Sequence, residues 1–109
     1  MVTHHMTILK NIHHCEVNCE HMTTFLKRLP DIQARTIQLQ LLRDCADICS
    51  LAIKFIARNS PFAKQIAKMC ASICDVCGNE CLRFPDQESQ HCAQICLNCA
   101  RECRTFAMA

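Results

Sequence analysis

Residues 69–81 read Met69-Cys70-Ala71-Ser72-Ile73-Cys74-Asp75-Val76-Cys77-Gly78-Asn79-Glu80-Cys81, with cysteines at successive steps of four, three and four. At about 100° per residue those steps return to one face of an α-helix. The spacing recurs at Cys92, Cys96, Cys99 and Cys103, and one four-residue step of it recurs at Cys45–Cys49 and again at Cys15–Cys19. Four segments therefore carry cysteine stripes in helical phase, and the punctuation between them is placed accordingly. Pro30-Asp31 closes the first segment. Asn59-Ser60-Pro61 closes the second, with Ser60 a natural N-cap and Pro61 suited to a first helical turn. Pro85-Asp86 closes the third, with Asp86 the N-cap of the fourth. The expected helices cover 4–28, 32–58, 61–83 and 87–106. Short connections favour antiparallel neighbours, so the expected fold is all-α, an up-down-up-down four-helix bundle.

Extending each stripe identifies a buried face. The phase of Cys15 and Cys19 selects His4, Ile8, Ile12, Met22 and Leu26, and that of Cys45 and Cys49 selects Gln38, Ala52 and Ile56. Ile66 and Phe84 flank the third stripe, and Phe106 extends the fourth. Apolar residues dominate, while Glu16, Glu20, Asp47, Asp75 and Arg101 fall on the opposite faces. Gln38 stands out, because a buried amide without partners is costly. It must either bond across the bundle or lie at a level near solvent. Gly78, in mid-helix, costs about 1 kcal/mol against Ala and marks a close approach by another helix, from this chain or from a second subunit.

Composition narrows the function. The 109 residues fit one domain, 1–109, with one glycine and three prolines, half of the residues apolar and a fifth charged. A net charge of +2 and the absence of Trp and Tyr argue against a nucleic-acid partner. No apolar run approaches the length that spans a membrane. The opening Met-Val-Thr-His-His-Met-Thr lacks a basic start, a long apolar run and a small-residue cleavage site, so a cytoplasmic location is expected, where thiols stay reduced.

The twelve cysteines admit several readings. Free cysteine packs as a small hydrophobe, but a core selected only for burial would mix in more Leu, Ile and Val. A disulfide between residues i and i+4 closes a tiny loop inside a formed helix and stabilises little. Soft-metal binding accounts for the pattern directly, since thiolates select Cu(I), Zn(II) or iron–sulfur clusters. Zinc and cluster sites need about four ligands converging on one centre, usually from loops that wrap it. Cysteines four apart on a rigid helix present two sulfurs side by side, which suits Cu(I), an ion that accepts two thiolates. At two thiolates per ion the chain would hold about six ions, and sharing of thiolates would raise that number. The candidate ligands are Cys15, Cys19, Cys45, Cys49, Cys70, Cys74, Cys77, Cys81, Cys92, Cys96, Cys99 and Cys103. Met22, His91 and His4 are peripheral candidates, and His13, His14 and His21 point away from the stripe. A catalytic thiol is one activated site rather than twelve equivalent ones, so no enzyme is expected.

Asp44-Cys45-Ala46-Asp47-Ile48-Cys49, Ser60-Pro61-Phe62, the run 69–81 quoted above and His91-Cys92-Ala93-Gln94-Ile95-Cys96-Leu97-Asn98-Cys99-Ala100-Arg101-Glu102-Cys103-Arg104 together resemble the bacterial cytosolic copper storage proteins. The resemblance covers the last three helices well and the first by phase. It implies a four-helix bundle whose core cysteines hold many Cu(I) ions, assembled as a homotetramer, with metal entering at one end. The family pattern carries more cysteines on its first two helices. Here Ile8, Ile12, Met22 and Leu26 fill the first stripe and Gln38 stands at a thiol position, so the metal core is expected to centre on the last two helices. The expected role is Cu(I) storage or buffering. The alternatives are a zinc or iron–sulfur protein, a thiol redox sensor and a purely structural bundle.

Overall fold

A computed structural model describes the backbone of residues 3–109 and the side chains of residues 5–109. Its helices are α1 (Thr3–Leu26), α2 (Thr36–Ala57), α3 (Ala63–Cys81) and α4 (Gln87–Met108), with a 3-10 turn at Ile32–Arg35 leading into α2. Each helix packs on the next, and α4 closes the ring against α1. The ends alternate as the short connections require. His5 meets Phe106 edge to face at one end of the bundle, with ring centroids 5.7 Å apart. At the other end Gln38 reaches both Cys81 and Ser89.

The connections have identifiable chemistry. Asn59 takes a left-handed φ of 53°. The N–H of Asn59 donates to Ile56 O at 3.1 Å and that of Ser60 to Phe55 O at 3.0 Å. This pair of bonds is a Schellman closure of α2, and Asn is one of the few residues that tolerates the conformation. Ser60 does not cap α3 itself. Its Oγ accepts the Phe62 N–H at 3.1 Å, and its carbonyl accepts the Ala63 N–H at 3.0 Å. That separate turn delays the start of α3 to Ala63, two residues after the expected position. Asp86 does cap α4, accepting the Ser89 N–H at 2.9 Å from an extended backbone.

The buried set matches the stripes. Ile8, Ile12, Met22, Leu26, Gln38, Ala52 and Ile56 are all buried, as is every cysteine. Phe84, Ile66 and Phe106 are half-buried at the margins. The stripes alone do not identify the small buried residues Ala67 and Ala71 on α3 and Ala93 and Ala100 on α4, nor the seam between these helices at Gly78. A Cβ placed on Gly78 would stand 2.8 Å from Leu97 Cγ and 3.2 Å from the Ala93 carbonyl oxygen. The close approach is therefore made by α4 of the same chain.

Candidate metal centre

Four helices each present cysteines to one axis, so the sulfurs stack into a column. Along it Cys15 Sγ lies 3.8 Å from Cys45 Sγ and 4.0 Å from Cys96 Sγ. Cys19 lies 3.7 Å from Cys96, and Cys45 lies 3.5 Å from Cys74. Cys49 and Cys70 are 3.8 Å apart, and Cys96 and Cys77 are 3.9 Å apart. Pairs within one helix add Cys70–Cys74 at 3.8 Å, Cys92–Cys96 at 3.9 Å and Cys99–Cys103 at 4.0 Å. No cysteine is in a disulfide.

Three groups of thiols have all their sulfurs within 4.8 Å of one another. Cys15, Cys49, Cys74 and Cys99 form one, with one sulfur from each helix. Cys15, Cys19, Cys45 and Cys96 form the second, and Cys70, Cys99 and Cys103 the third. One sequence expectation changes here. Convergence of four thiols does not require a wrapping loop, because the bundle itself brings one sulfur from each wall to a common point. The first helix, with two cysteines, takes part in both four-thiol groups through Cys15.

Burial pushes every one of these thiols towards its neutral form. Contact between sulfurs then divides them. Cys19 is held above the ordinary thiol range by its hydrogen bonds to Cys15 and Cys45 and by burial. Cys49, Cys74, Cys81, Cys96 and Cys103 are raised in the same way. Their partners are lowered. Cys70 is drawn down to about 5, first by Cys103, and Cys77 to about 7, first by Cys19. Cys15, Cys45, Cys92 and Cys99 also shift down. Raised and lowered thiols meet at Cys45–Cys74 and at Cys77–Cys96, whereas Cys15–Cys45 joins two lowered sulfurs and Cys19–Cys96 two raised ones.

The peripheral candidates part company. Met22 is buried on the α1 stripe, three residues beyond Cys19. His91 is exposed and joins none of the close groups among the described residues. It departs from the expectation because it precedes Cys92 by one residue, and a 100° step turns it off the buried face. His4 lies outside the described side chains. His13, His14 and His21 are exposed, as expected, with His13 Nδ1 3.5 Å from Glu16 and His21 stacked on Phe25.

The polar closure at one end of the column has no counterpart in the stripe pattern. Arg35 is only 4% exposed. Its Nε donates to Asp31 at 3.0 Å, and its Nη1 lies 2.8 Å from Asp86 Oδ1. Its guanidinium carbon sits 4.4 Å from the centroid of the Phe84 ring. Burial opposes the Arg35 charge, but the Asp86 and Asp31 carboxylates outweigh it and hold the guanidinium more firmly protonated than usual. Burial likewise works against the Asp86 charge, and the Ser89 N–H and Arg35 reverse that, leaving the carboxyl below its ordinary range. The i,i+4 spacing of Asp31 and Arg35 was the one sign in the sequence that Arg35 is tied down.

Comparison with known proteins agrees with this geometry. The copper storage protein family model matches residues 1–108. A Cu(I)-bound copper storage protein, BsCsp3, superposes with a TM-score of 0.89 at 35% identity over 94% of this chain and 96% of that one. Apo-Csp3 from Bacillus subtilis gives 0.88 at 35% identity, covering 94% and 97%. The Nmul_A1745 protein of Nitrosospira multiformis gives 0.82 at 29% identity over 93% and 92%. The cysteine-rich protein YhjQ of Bacillus subtilis is 54% identical over 43 residues, a match that spans 39% of this chain and only 40% of that protein. With a family match along nearly its whole length and a fold that superposes on a Cu(I)-bound copper storage protein at 35% identity, the chain belongs to the copper storage protein family.

Proposed function

We propose that this protein stores and buffers Cu(I) in the cytoplasm, holding several ions per chain on Cys15, Cys19, Cys45, Cys49, Cys70, Cys74, Cys77, Cys81, Cys92, Cys96, Cys99 and Cys103. The observation that carries the reading is the group Cys15, Cys49, Cys74 and Cys99, in which four buried sulfurs from four helices lie within 4.8 Å of one another. A buried thiolate is costly unless a cation neutralises it. A column of thiols at these spacings therefore exchanges protons for metal. For one ion and two thiols, two S–H groups and one Cu(I) give a bis-thiolate complex of charge −1 and two protons. Sharing each sulfur between neighbouring ions lowers the residual charge, and a continuous column favours that sharing. Met22 supplies a thioether beside Cys19.

The reading includes assembly as a homotetramer. Among the described residues no helix is long and apolar enough to cross a membrane. The outer side of the α2–α3 pair carries apolar side chains that the chain itself does not cover. Ile37, Leu51, Phe62, Met69 and Val76 are exposed, and Ile48, Leu51 and Ile73 line a shallow groove with Asp44 and Asp47. Such a face suits contact with further copies of the chain.

A second reading deserves its own arm of the test. Four thiolates placed 2.3 Å from one zinc ion stand about 3.8 Å apart, a spacing that the column also offers. An anaerobic titration with Cu(I) against a competing chelator, repeated with Zn(II), separates the two. Storage predicts several tight Cu(I) equivalents per chain. One equivalent or none, or a preference for zinc, overturns it. Iron with acid-labile sulfide in the anaerobically purified protein would favour a cluster, and reversible oxidation confined to a few cysteines would favour a redox sensor.

A further inference from the structure

Gln38 occupies the buried stripe of α2 seven residues before Cys45, in the phase that the thiols follow, and is fully buried. A glutamine amide has two N–H donors and a carbonyl acceptor, and all three are engaged. Nε2 donates to Ser89 Oγ at 2.9 Å and to Cys81 Sγ at 3.4 Å. Oε1 accepts from Arg35 Nη1 at 3.3 Å. Arg35 in turn donates to Ser89 at 3.3 Å and is fixed by Asp31 and Asp86. Thus α2, the 3-10 turn, α3 and α4 are tied at one level, the level at which the sulfur column stops.

We propose that Gln38 sets the end of the copper column: its amide takes the place of a ligand beside Cys81, so metal is held up to Cys81 and no ion is bridged from Cys81 to α2. The inference rests on the storage reading. The chemistry is that of hard and soft donors. An amide nitrogen that donates its protons has no lone pair for a soft ion, yet its N–H stabilises the sulfur it touches. Gln38 is therefore a positioning residue. It orients Cys81 Sγ through one hydrogen bond, and Arg35 and Ser89 hold it in the orientation that excludes a further site. The opposite end of the bundle lacks such a network among the described residues. There Ile8, Ile56 and Ala63 close the core, and burial of apolar surface replaces polar closure.

The test uses the full-length protein and three variants, Gln38→Cys, Gln38→Leu and Gln38→Met. Each is titrated anaerobically with Cu(I) against a chelator, its thiols are counted after unfolding, and its helix content is read by circular dichroism. Gln38→Cys, with a soft donor facing Cys81, should take up about one more ion per chain than the parent. Gln38→Leu, similar in volume but without donors, should hold the parental number, and its Cys81, whose thiolate has lost a hydrogen-bond donor, should react more slowly with a thiol reagent in the metal-free protein. Parental capacity in a folded Gln38→Cys variant with thirteen countable thiols (twelve plus one) overturns the proposal, as does an equal gain in Gln38→Leu. If Gln38→Cys loses helix content, Gln38→Met decides. Its thioether should tighten the last equivalent by about tenfold or more, and unchanged binding of that equivalent is the adverse result. The parent's own uptake of several equivalents is read in the same series, so failure of the storage reading is distinguishable from failure of this one.

Discussion

Cys45 Sγ on α2 stands 3.5 Å from Cys74 Sγ on α3, while Cys45 also faces Cys15 on α1 at 3.8 Å. A single side chain thus links three walls of the bundle through sulfur. Because such links repeat along the column, an ion bound at one level would share ligands with its neighbours, and capacity is expected to depend on connected thiols more than on isolated pairs.

Connectivity predicts unequal costs for removing single thiols. Cys15 belongs to two four-thiol groups and Cys103 to one group of three. Cys15→Ser should lose about two Cu(I) equivalents and Cys103→Ser about one at most. His91→Ala should lose none, because His91 is exposed. Equal losses in the two serine variants, read by chelator competition, would contradict the shared-column picture.

Proton exchange predicts the direction of the pH dependence. Six thiols lie above the ordinary range and remain protonated at neutral pH. Metal must displace those protons, so Cu(I) affinity weakens as pH falls, by about tenfold per pH unit for each proton released. Weakly buffered protein should acidify on loading. A proton count near zero would mean that the column is already ionised.

Asp86 predicts an acid-sensitive contribution to stability. Its folded-state pKa is below the ordinary value, so its contribution is fully present above the unfolded value of about 3.9 and is lost as pH falls through the folded one. Asp86→Ala removes both the cap on α4 and a partner of buried Arg35, at a cost of about 1–3 kcal/mol at pH 7. Asp86→Asn keeps a capping oxygen without the charge. It should be milder than Ala, and its denaturant midpoint should fall less steeply than the parent's between pH 5 and 2. A parallel fall in both proteins would remove Asp86 from the account.

Gly78 predicts a steric limit on the α3–α4 seam. Ala at 78 gains about 1 kcal/mol of helix propensity, but its Cβ crowds Leu97 and stands 3.2 Å from a backbone carbonyl that cannot turn aside. The side chain of Leu97 can yield; the carbonyl can move only with its helix. Gly78→Ala is therefore expected to be destabilising by about 1 kcal/mol net, and Gly78→Val by about 3 kcal/mol. A stabilised Gly78→Ala variant in chemical denaturation would show that the two helices separate at little cost.

The sequence by itself determined four helices, their order and their buried faces. A cysteine at every third or fourth position leaves one helical face, and Pro30, Pro61 and Pro85 leave three places to turn. It also determined that the twelve thiols share one interior and that His13, His14 and His21 do not. It left Gln38 between two readings, because periodicity fixes the direction of a side chain and not its partners. Tertiary structure decided those partners: Ser89 from fifty-one positions away and Cys81 from forty-three. It decided too that Arg35 is buried, that Gly78 admits α4 of its own chain, and that Cys15 meets sulfurs from every other helix. The physical reason is common to all four. A stripe is a local property of one helix, whereas which sulfur or amide lies within 4 Å of another depends on the level at which separate helices cross, and that is set by the packing of all four walls together.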